Sequence, residues 1–530
     1  MENQLLMVNP SARKIILAGA SVRSLAESAV RCGYVPVCFD YFADRDLCDR
    51  TAADPSADSA DSRKRGEDTA VSVGLDFEGS ESGCQSRNAG VTSGVLTEEN
   101  AFAERKPTLC GDAFVLPTKH IEAPPHASGT NAQALAINDF AELPALLCAL
   151  PADVPLIWCG GLENRPEILS QLAEQRSLVG VAISQLSTLR SPFRLQRLLT
   201  DAGLLFPETH SLNAFPADRA TERDFRCSWL RKRTTASGGI GVMRAPPSPG
   251  FETELQIISG STNFAGGDTR ETCEATETVL QRYIDGVPMS AIIVSDGERT
   301  KVVAVDLQLV GEATLHATDF QFCGNVGPVA VSAVVLDQLQ RGAETIVHAT
   351  GMRGVWGIDF IRQDDAVWFL EVNPRIPASH EVVELIAPLS FVELHCHPEA
   401  AFAGNDLFLE RLPCHAPAQL GIRLIVYADH AVATIAHMEA WAQAALRQRL
   451  SWRQNPIPDQ WSCADIPRPN VPIEVGAPFC SLLTKTAHPQ FTGRTLRLPR
   501  LDSPIPIGLD LSQLEIQLQN LISQTSAVVH

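Results

Sequence analysis

Three polar side chains interrupt an otherwise apolar pair of β-segments, and few folds tolerate that. Gly357-Ile358-Asp359-Phe360 and Trp368–Arg375 read as two strands joined at a turn over Gln363-Asp364-Asp365. Asp359 lies on the first strand. Glu371 and Asn373 lie on the second, two residues apart, and so face one side. An acidic pair among apolar neighbours is costly unless something neutralises it. Hard oxygen donors on adjacent strands suit a Mg²⁺ ion bridging nucleotide phosphates. Arg375 follows on the same face, where it reaches an anionic intermediate. A purely structural salt-bridge cluster is the alternative.

Two upstream segments bear on the same chemistry. Trp229–Met243, WLRKRTTASGGIGVM, reads as a strand carrying Lys232 and a loop with Gly238, Gly239 and Gly241. Glycines let backbone N–H groups close on phosphate oxygens, and Lys232 adds a point charge. A plain hairpin turn explains the glycines equally. Gln281–Ser290, QRYIDGVPMS, reads as the end of an apolar strand and a glycine turn. Two alternating strands joined at Ser295-Asp296-Gly297 follow it. An ordinary meander is the competing reading.

The chain has 530 residues, enough for roughly three or four domains. It opens with a β-α-β pattern: KIILAGA over 14–20, a helical spacing over Val22–Arg31, a stop at Gly33, then VPVCFD over 35–40. A dinucleotide fingerprint would need three glycines after the first strand, and Gly19 is the one present. From Thr51 to Lys106 the sequence is rich in Ser, Asp and Gly, which predicts a disordered insert. Regular structure is expected again near Ala132–Leu150. Residues 190–203, with Pro192 in the first turn and Gly203 at the end, read as a helix opening a second domain. A smaller C-terminal piece begins near Pro413, with a strand at GIRLIVYA, a helix, and proline-rich sequence with short strands.

A net charge of −19 repels polyanions, so nucleic acid is not an expected partner. No stretch approaches the roughly 20 apolar residues of a membrane span, and the N-terminal charge order does not suit a signal peptide. The 14 cysteines include no CxxC pair, which predicts a reduced, cytoplasmic protein. His395-Cys396-His397 and Cys414-His415 resemble metal ligands but lack zinc-site spacing.

The three segments, in this order, resemble the ATP-grasp superfamily. Lys232 precedes Gly238 by six residues, and Asp359 precedes Glu371 by twelve, as in biotin carboxylase-like members. Glu371-Val372-Asn373-Pro374-Arg375 is similar to the superfamily's E-x-N-x-R motif. ASVRSLAESAVRCGY, WCGGLENRPEIL, RSPFRLQRLL, FQFCGNVGPV, EVNPRIPASHEVVE and ADIPRPN resemble a subgroup of predicted ATP-dependent carboligases related to biotin carboxylase. Some of that subgroup occur with one-carbon-carrier pathways.

The resemblance implies an α/β and α+β multidomain chain. A Rossmann-like N-terminal domain would span 1–189 with the insert at 51–106, a two-lobed ATP-grasp domain 190–405, and a small β-rich accessory domain 413–530. It implies ATP and Mg²⁺, with Mn²⁺ as a substitute. The backbone of Gln281, Arg282, Tyr283 and Ile284 would read adenine. Lys232 and Gly238, Gly239 and Gly241 would hold phosphates. Asp359, Glu371 and Asn373 would hold metal, and Arg375 would steady the reacting group, so that Arg375 and Lys232 are the catalytic candidates. The implied reaction phosphorylates a carboxylate and passes the acyl group to an amine; a homodimer is one candidate assembly, and the sequence does not set the oligomeric state. A biotin carboxylase-type reaction and a silent ATP-binding protein are the rivals. Where many members carry a second lysine, this chain has Pro192, with Arg190 or Arg194 as substitutes. It also has Gln281 where the family often has Glu, and Pro377 and Ser379 where biotin carboxylase has Gln and an acidic base. Gln308 and Cys323-Gly324-Asn325 are acceptor-pocket candidates. His380, Glu381 and Glu384 are read either as helix-start polarity or as substrate contacts, and Gly19 with Arg23 as a carboxylate cradle.

Overall fold

The computed structural model describes residues 13–48, 133–211, 229–245, 278–403, 417–432, 436–454, 460–468 and 471–488, with isolated positions at 458 and within 512–520. The expected insert at 51–106 and the Cys414-His415 pair lie outside them. Among the described residues there are three sheets.

The first sheet is parallel, in the order β3-β2-β1-β4-β5. Its strands are β1 (Arg13–Gly19), β2 (Tyr34–Asp40), β3 (Gln133–Ala136), β4 (Leu156–Trp158) and β5 (Leu178–Val179). Ile15 to Ala18 are fully buried, as expected of a central parallel strand covered on both faces. The helix Arg23–Arg31 buries Leu25, Ala26 and Ala29, the apolar positions of its helical spacing. Asp40 closes the unit by accepting backbone N–H bonds from Val22 and Ala43, each 2.6 Å.

The second sheet is small and antiparallel, in the order β6-β9-β7-β8, from β6 (Thr209–Ser211), β7 (Trp229–Arg233), β8 (Met243–Arg244) and β9 (Thr278–Arg282). The helix Pro192–Asp201 precedes it. Ser191 caps that helix by accepting from the Arg194 N–H, with Pro192 in the first turn.

The third sheet is antiparallel throughout and has eight strands, ordered β14-β13-β10-β11-β12-β15-β17-β16. They are β10 (Val287–Asp296), β11 (Thr300–Val310), β12 (Phe322–Gly327), β13 (Arg353–Gln363), β14 (Ala366–Asn373), β15 (Gln419–Tyr427), β16 (Ser462–Ala464) and β17 (Pro478–Ala487). On β10, Met289, Ala291 and Ile293 join the larger apolar core, while Ile292 and Val294 join a second one with Ile15 and Leu17 of β1. Both faces are therefore covered, and the polar residues Ser290, Asp306 and Gln308 stand out on one of them.

Two expectations need correction. β9 and β10 belong to different sheets, so Gln281–Ser290 crosses between two lobes and is not a meander. The strands after residue 413 do not make a sheet of their own. β15 pairs with β12, from Gly324 opposite Leu424 to Gly327 opposite Gly421, and so extends the central sheet. Exposed β12 would have been an unpaired edge, and β15 covers it.

Candidate active site

A cleft of about 850 Å³ runs between the small sheet and the eight-stranded sheet. It is lined by Lys232, Gly238, Gly239, Gln281, Arg282, Tyr283 and Ile284, and also by Asp359, Glu371, Asn373 and Arg375. Gly241 is not among its lining residues, though its neighbours Ile240 and Val242 are.

Asp359 and Glu371 are direct cross-strand neighbours on β13 and β14, beside a register shift between Asp359 and Phe360. The Asn373 Nδ2 donates to Asp359 Oδ2 at 2.9 Å, and Gln308 Nε2 donates to Asp359 Oδ1 at 2.9 Å. Burial first, and then the neighbouring Glu371 charge, push the Asp359 carboxyl up. Burial pushes Glu371 the same way, but Lys232, Arg190 and Arg375 outweigh it and hold Glu371 down. The pair thus keeps one carboxylate ionised beside one that resists ionising, which a divalent cation would reverse. Two carboxylates and an amide oxygen are hard donors suited to Mg²⁺. No cluster of three or more His, Cys, Asp or Glu able to hold a metal occurs among the described residues, so Asn373 is needed to complete the set.

On the facing lobe, Lys232 Nζ donates to Gln281 Oε1 at 3.2 Å, and Gln281 Nε2 donates to Thr209 Oγ1 at 3.1 Å. The Gln281 side chain therefore orients the lysine. The Arg282 N–H is already taken by the Glu208 carbonyl at 2.8 Å. Only beyond the end of β9, at Tyr283 and Ile284, is the backbone outside the ladder. Arg244 stacks on the Tyr283 ring at 4.2 Å. In the glycine loop, Gly239 has φ +75°, and a Cβ there would stand 1.8 Å from the Phe320 carbonyl oxygen. The loop is thus pressed onto the segment before β12, and only glycine is accommodated.

Arg190 lines the cleft from the approach to the helix Pro192–Asp201. Its Nη2 donates to Asn164 Oδ1 at 2.9 Å and to the Thr234 and Ala236 carbonyls at 3.3 and 3.2 Å. It fastens the glycine loop and keeps a positive charge near Glu371. Arg194 is turned away, donating to Ser187 and Thr188. Of Arg190 and Arg194, Arg190 is the one that lines the cleft.

Arg375 is partly buried, and its Nε donates to Glu163 Oε1 at 3.0 Å. Glu163 follows β4, so the first sheet orients this arginine. Sequence reasoning passed over Glu163, although it stands within the quoted WCGGLENRPEIL. Other expected contacts lead elsewhere. Glu381 receives two bonds from Arg23, 2.7 and 3.0 Å, and Glu384 accepts from Ser28 and the Phe391 N–H. Arg23 is therefore committed to carboxylates of the protein and cannot cradle a substrate. A Cβ on Gly19 would meet Cys159 Sγ, so that glycine answers a packing need. His395 uses both ring nitrogens on the backbone: Nδ1 accepts from the Val355 N–H at 2.9 Å and Nε2 faces the Val179 carbonyl at 3.2 Å. It is a core histidine and no metal ligand.

Residues 193–379 match the family model described as the ATP-grasp domain. The carbamoyl phosphate synthase large chain of Mycobacterium bovis is 23% identical over 181 residues, which is 34% of this chain but 15% of that protein. The chain therefore spans a small part of that relative. Biotin carboxylase from Campylobacter jejuni, solved as a β,γ-ATP complex, superposes with TM-score 0.53 at 11% identity, covering 89% of this chain and 87% of that one. Carboxyaminoimidazole ribonucleotide synthase from Aspergillus clavatus, complexed with ATP, gives TM-score 0.50 at 14% identity over 97% and 99% of the two chains. At such identities the superpositions speak to fold alone, and they agree with the family match. No described helix is long and apolar enough to cross a membrane. Residues 193–379 of this chain are thus similar to an ATP-grasp domain.

Proposed function

We propose that this protein is an ATP- and Mg²⁺-dependent ligase that joins a carboxylate to an amine through an acyl phosphate, releasing ADP. One observation carries the reading: Lys232 and the glycine loop on one sheet face Asp359, Glu371 and Asn373 on another, across a single cleft, with Arg375 among them. The nucleotide's base would sit against Tyr283 and Ile284, where backbone groups lie beyond the strand ladder. Lys232, held by Gln281, and the loop around Gly238 and Gly239 would receive its phosphates. Asp359, Glu371 and Asn373 would hold the metal, which supplies charge neutralisation for in-line phosphoryl transfer.

A carboxylate oxygen of the substrate attacks the γ-phosphorus and ADP leaves. The amine nitrogen then attacks the acyl carbon, and phosphate and a proton leave. Arg375, oriented by Glu163, is placed to balance the negative charge that develops in both steps. Walls from both lobes keep water from the acyl phosphate. The relatives' names support the class of chemistry and do not name the substrates.

The test is a screen for ADP and phosphate release from ATP and Mg²⁺ with paired carboxylates and amines. Release should require both members of a pair and give one ADP per amide formed. Release driven by bicarbonate without an amine would replace ligation with carboxylation. Nucleotide binding with no turnover over a broad panel would make the chain a silent binder.

A further inference from the structure

Five buried oxygen atoms on neighbouring strands and the turn after β14 have no hydrogen bond among the described residues: Ser290 Oγ, Asp306 Oδ1 and Oδ2, Asn325 Oδ1 and Ser379 Oγ. Ser290, Asn325 and Ser379 line the cleft. Asp306 stands directly opposite Ser290 on the neighbouring strand and is fully buried. On its other side is Gly327, where a Cβ would come within 1.9 Å of Asp306 Oδ1, so no side chain separates the carboxyl from β12. Ser379 stands near enough to Asp306 to favour its ionised form. Asn325 lies on β12 opposite Gln308, and its Nδ2 points to the Leu307 carbonyl at 3.5 Å, which leaves Oδ1 unused.

Leaving a buried polar atom unpaired is costly, so five together call for a partner. Three of the five are acceptors only, once Asp306 is ionised. An ionised Asp306 and the Asn325 oxygen can only accept, and both hydroxyls can accept as well. What completes such a set is a group rich in N–H donors and positively charged. Two other buried carboxylates have arginine partners: Glu27 has Arg449 and Glu381 has Arg23. Asp306 has no such partner among the described residues.

We propose that Asp306, Ser290, Asn325 and Ser379 form the subsite for the amine substrate, with Asp306 as the residue that selects a primary amine. This rests on the ligase reading above. Ser290 is the cross-strand neighbour of Asp306 on one side and of Asp359 on the other. Asp306 is thus two strands from Asp359, about 10 Å between backbones. An amine held there lies beside the acidic pair on the same sheet face, next to the place where an activated acyl group would form. Burial holds the Asp306 carboxyl well above its usual range in the free protein. A cation seated on it restores the ionised form.

The test uses the full chain saturated with Mg²⁺ and the non-hydrolysable nucleotide AMP-PNP, with n-butylamine, n-butanol and butyrate as probes in ligand-observed NMR. Butylamine should bind saturably and in preference to butanol. Asp306→Asn, which keeps the shape and removes the charge, should weaken butylamine at least tenfold, with the melting temperature no lower than wild type. Ser290→Val, which fills the subsite and keeps the carboxyl, should do the same and decides the matter if the first variant does not fold. Equal butylamine affinity in wild type and both variants would overturn the proposal. So would butyrate binding that Asp306→Asn strengthens, or no butylamine binding to a protein that holds AMP-PNP. Failure to bind AMP-PNP would instead remove the ligase reading on which the subsite depends.

Discussion

The cleft and the ion cluster around Arg23 both bury charge, yet they complete it in opposite ways. Around Arg23, the guanidiniums of Arg23, Arg423 and Arg449 face the carboxylates of Glu27, Asp46, Glu381 and Asp465, at separations from 2.6 to 3.9 Å. Each of those acids has an arginine. In the cleft, the cations are held by other groups: Lys232 by Gln281, Arg190 by loop carbonyls, Arg375 by Glu163. They stand near Glu371 and lower its carboxyl without pairing with it. A charge cluster that closes on itself joins parts of a fold. One held open by second partners awaits a ligand. The Arg23 cluster links the first helix to β15, to the helix Ala436–Gln454 and to the turn after β16, so it serves the first purpose.

The largest expected effect lies in the cleft. Glu371→Gln and Asn373→Ala should each lower turnover by roughly 10³-fold, with melting temperature unchanged, because the first removes a ligand-directed charge, the second a ligand-directed amide oxygen, and both little packing. Steady-state ADP release and thermal unfolding on the same preparations check this. A large loss of stability would mean that the cleft, too, is a structural cluster.

Arg23→Met should behave the other way. It leaves Glu27, Asp46, Glu381 and Asp465 short of a buried partner and should cost about 3 kcal/mol in urea unfolding. Turnover per folded molecule should hold, since no Arg23 atom lines the cleft. If stability is kept and activity lost, the two regions have exchanged roles.

Lys232→Ala comes next, with nucleotide dissociation weakened by about tenfold to thirtyfold, or about 2 kcal/mol, measured by calorimetry. An unchanged constant would place the phosphates away from the glycine loop.

The smallest effect is in acid. Burial would raise Glu381, but Arg23 and Arg423 outweigh it and hold it below its usual 4.5. Its contribution is therefore complete above pH 4.5 and is lost as pH falls through the lower folded value. His395, held down to about 4 by burial, removes stability from pH 6.5 downward. That loss is common to wild type and Arg23→Met. The wild type should show more of the further acid loss from the cluster than the variant, which keeps Arg423, so the gap in melting temperature between the two should narrow from about pH 5 to about pH 3. Parallel curves would mean that Glu381 gains nothing from Arg23.

Much of the cleft was legible because strand geometry is local. Glu371 and Asn373 two apart, and Asp359 across a short turn, must share a face whatever surrounds them. The glycines after Lys232 are likewise a local demand, and Gly239 meets it against Phe320. The helix at 190–203 declared itself through Ser191, Pro192 and its spacing. The C-terminal strands were legible as strands but not as part of the central sheet, since periodicity says nothing of which edge a strand will join.

The residue order alone settled which side chains could act together within one element or one hairpin. Packing between remote segments decided the rest. Glu163 meets Arg375 across 212 residues, and Arg23 meets Glu381 across 358. No spacing rule reaches so far, because such pairs depend on how whole sheets stack. For the same reason Glu381 turned from substrate candidate to structural ion, and Asp306, one acid in an apolar strand, became an unpaired carboxyl beside the cleft. A side chain's type is written locally, but whether its charge is satisfied depends on every segment that folds around it.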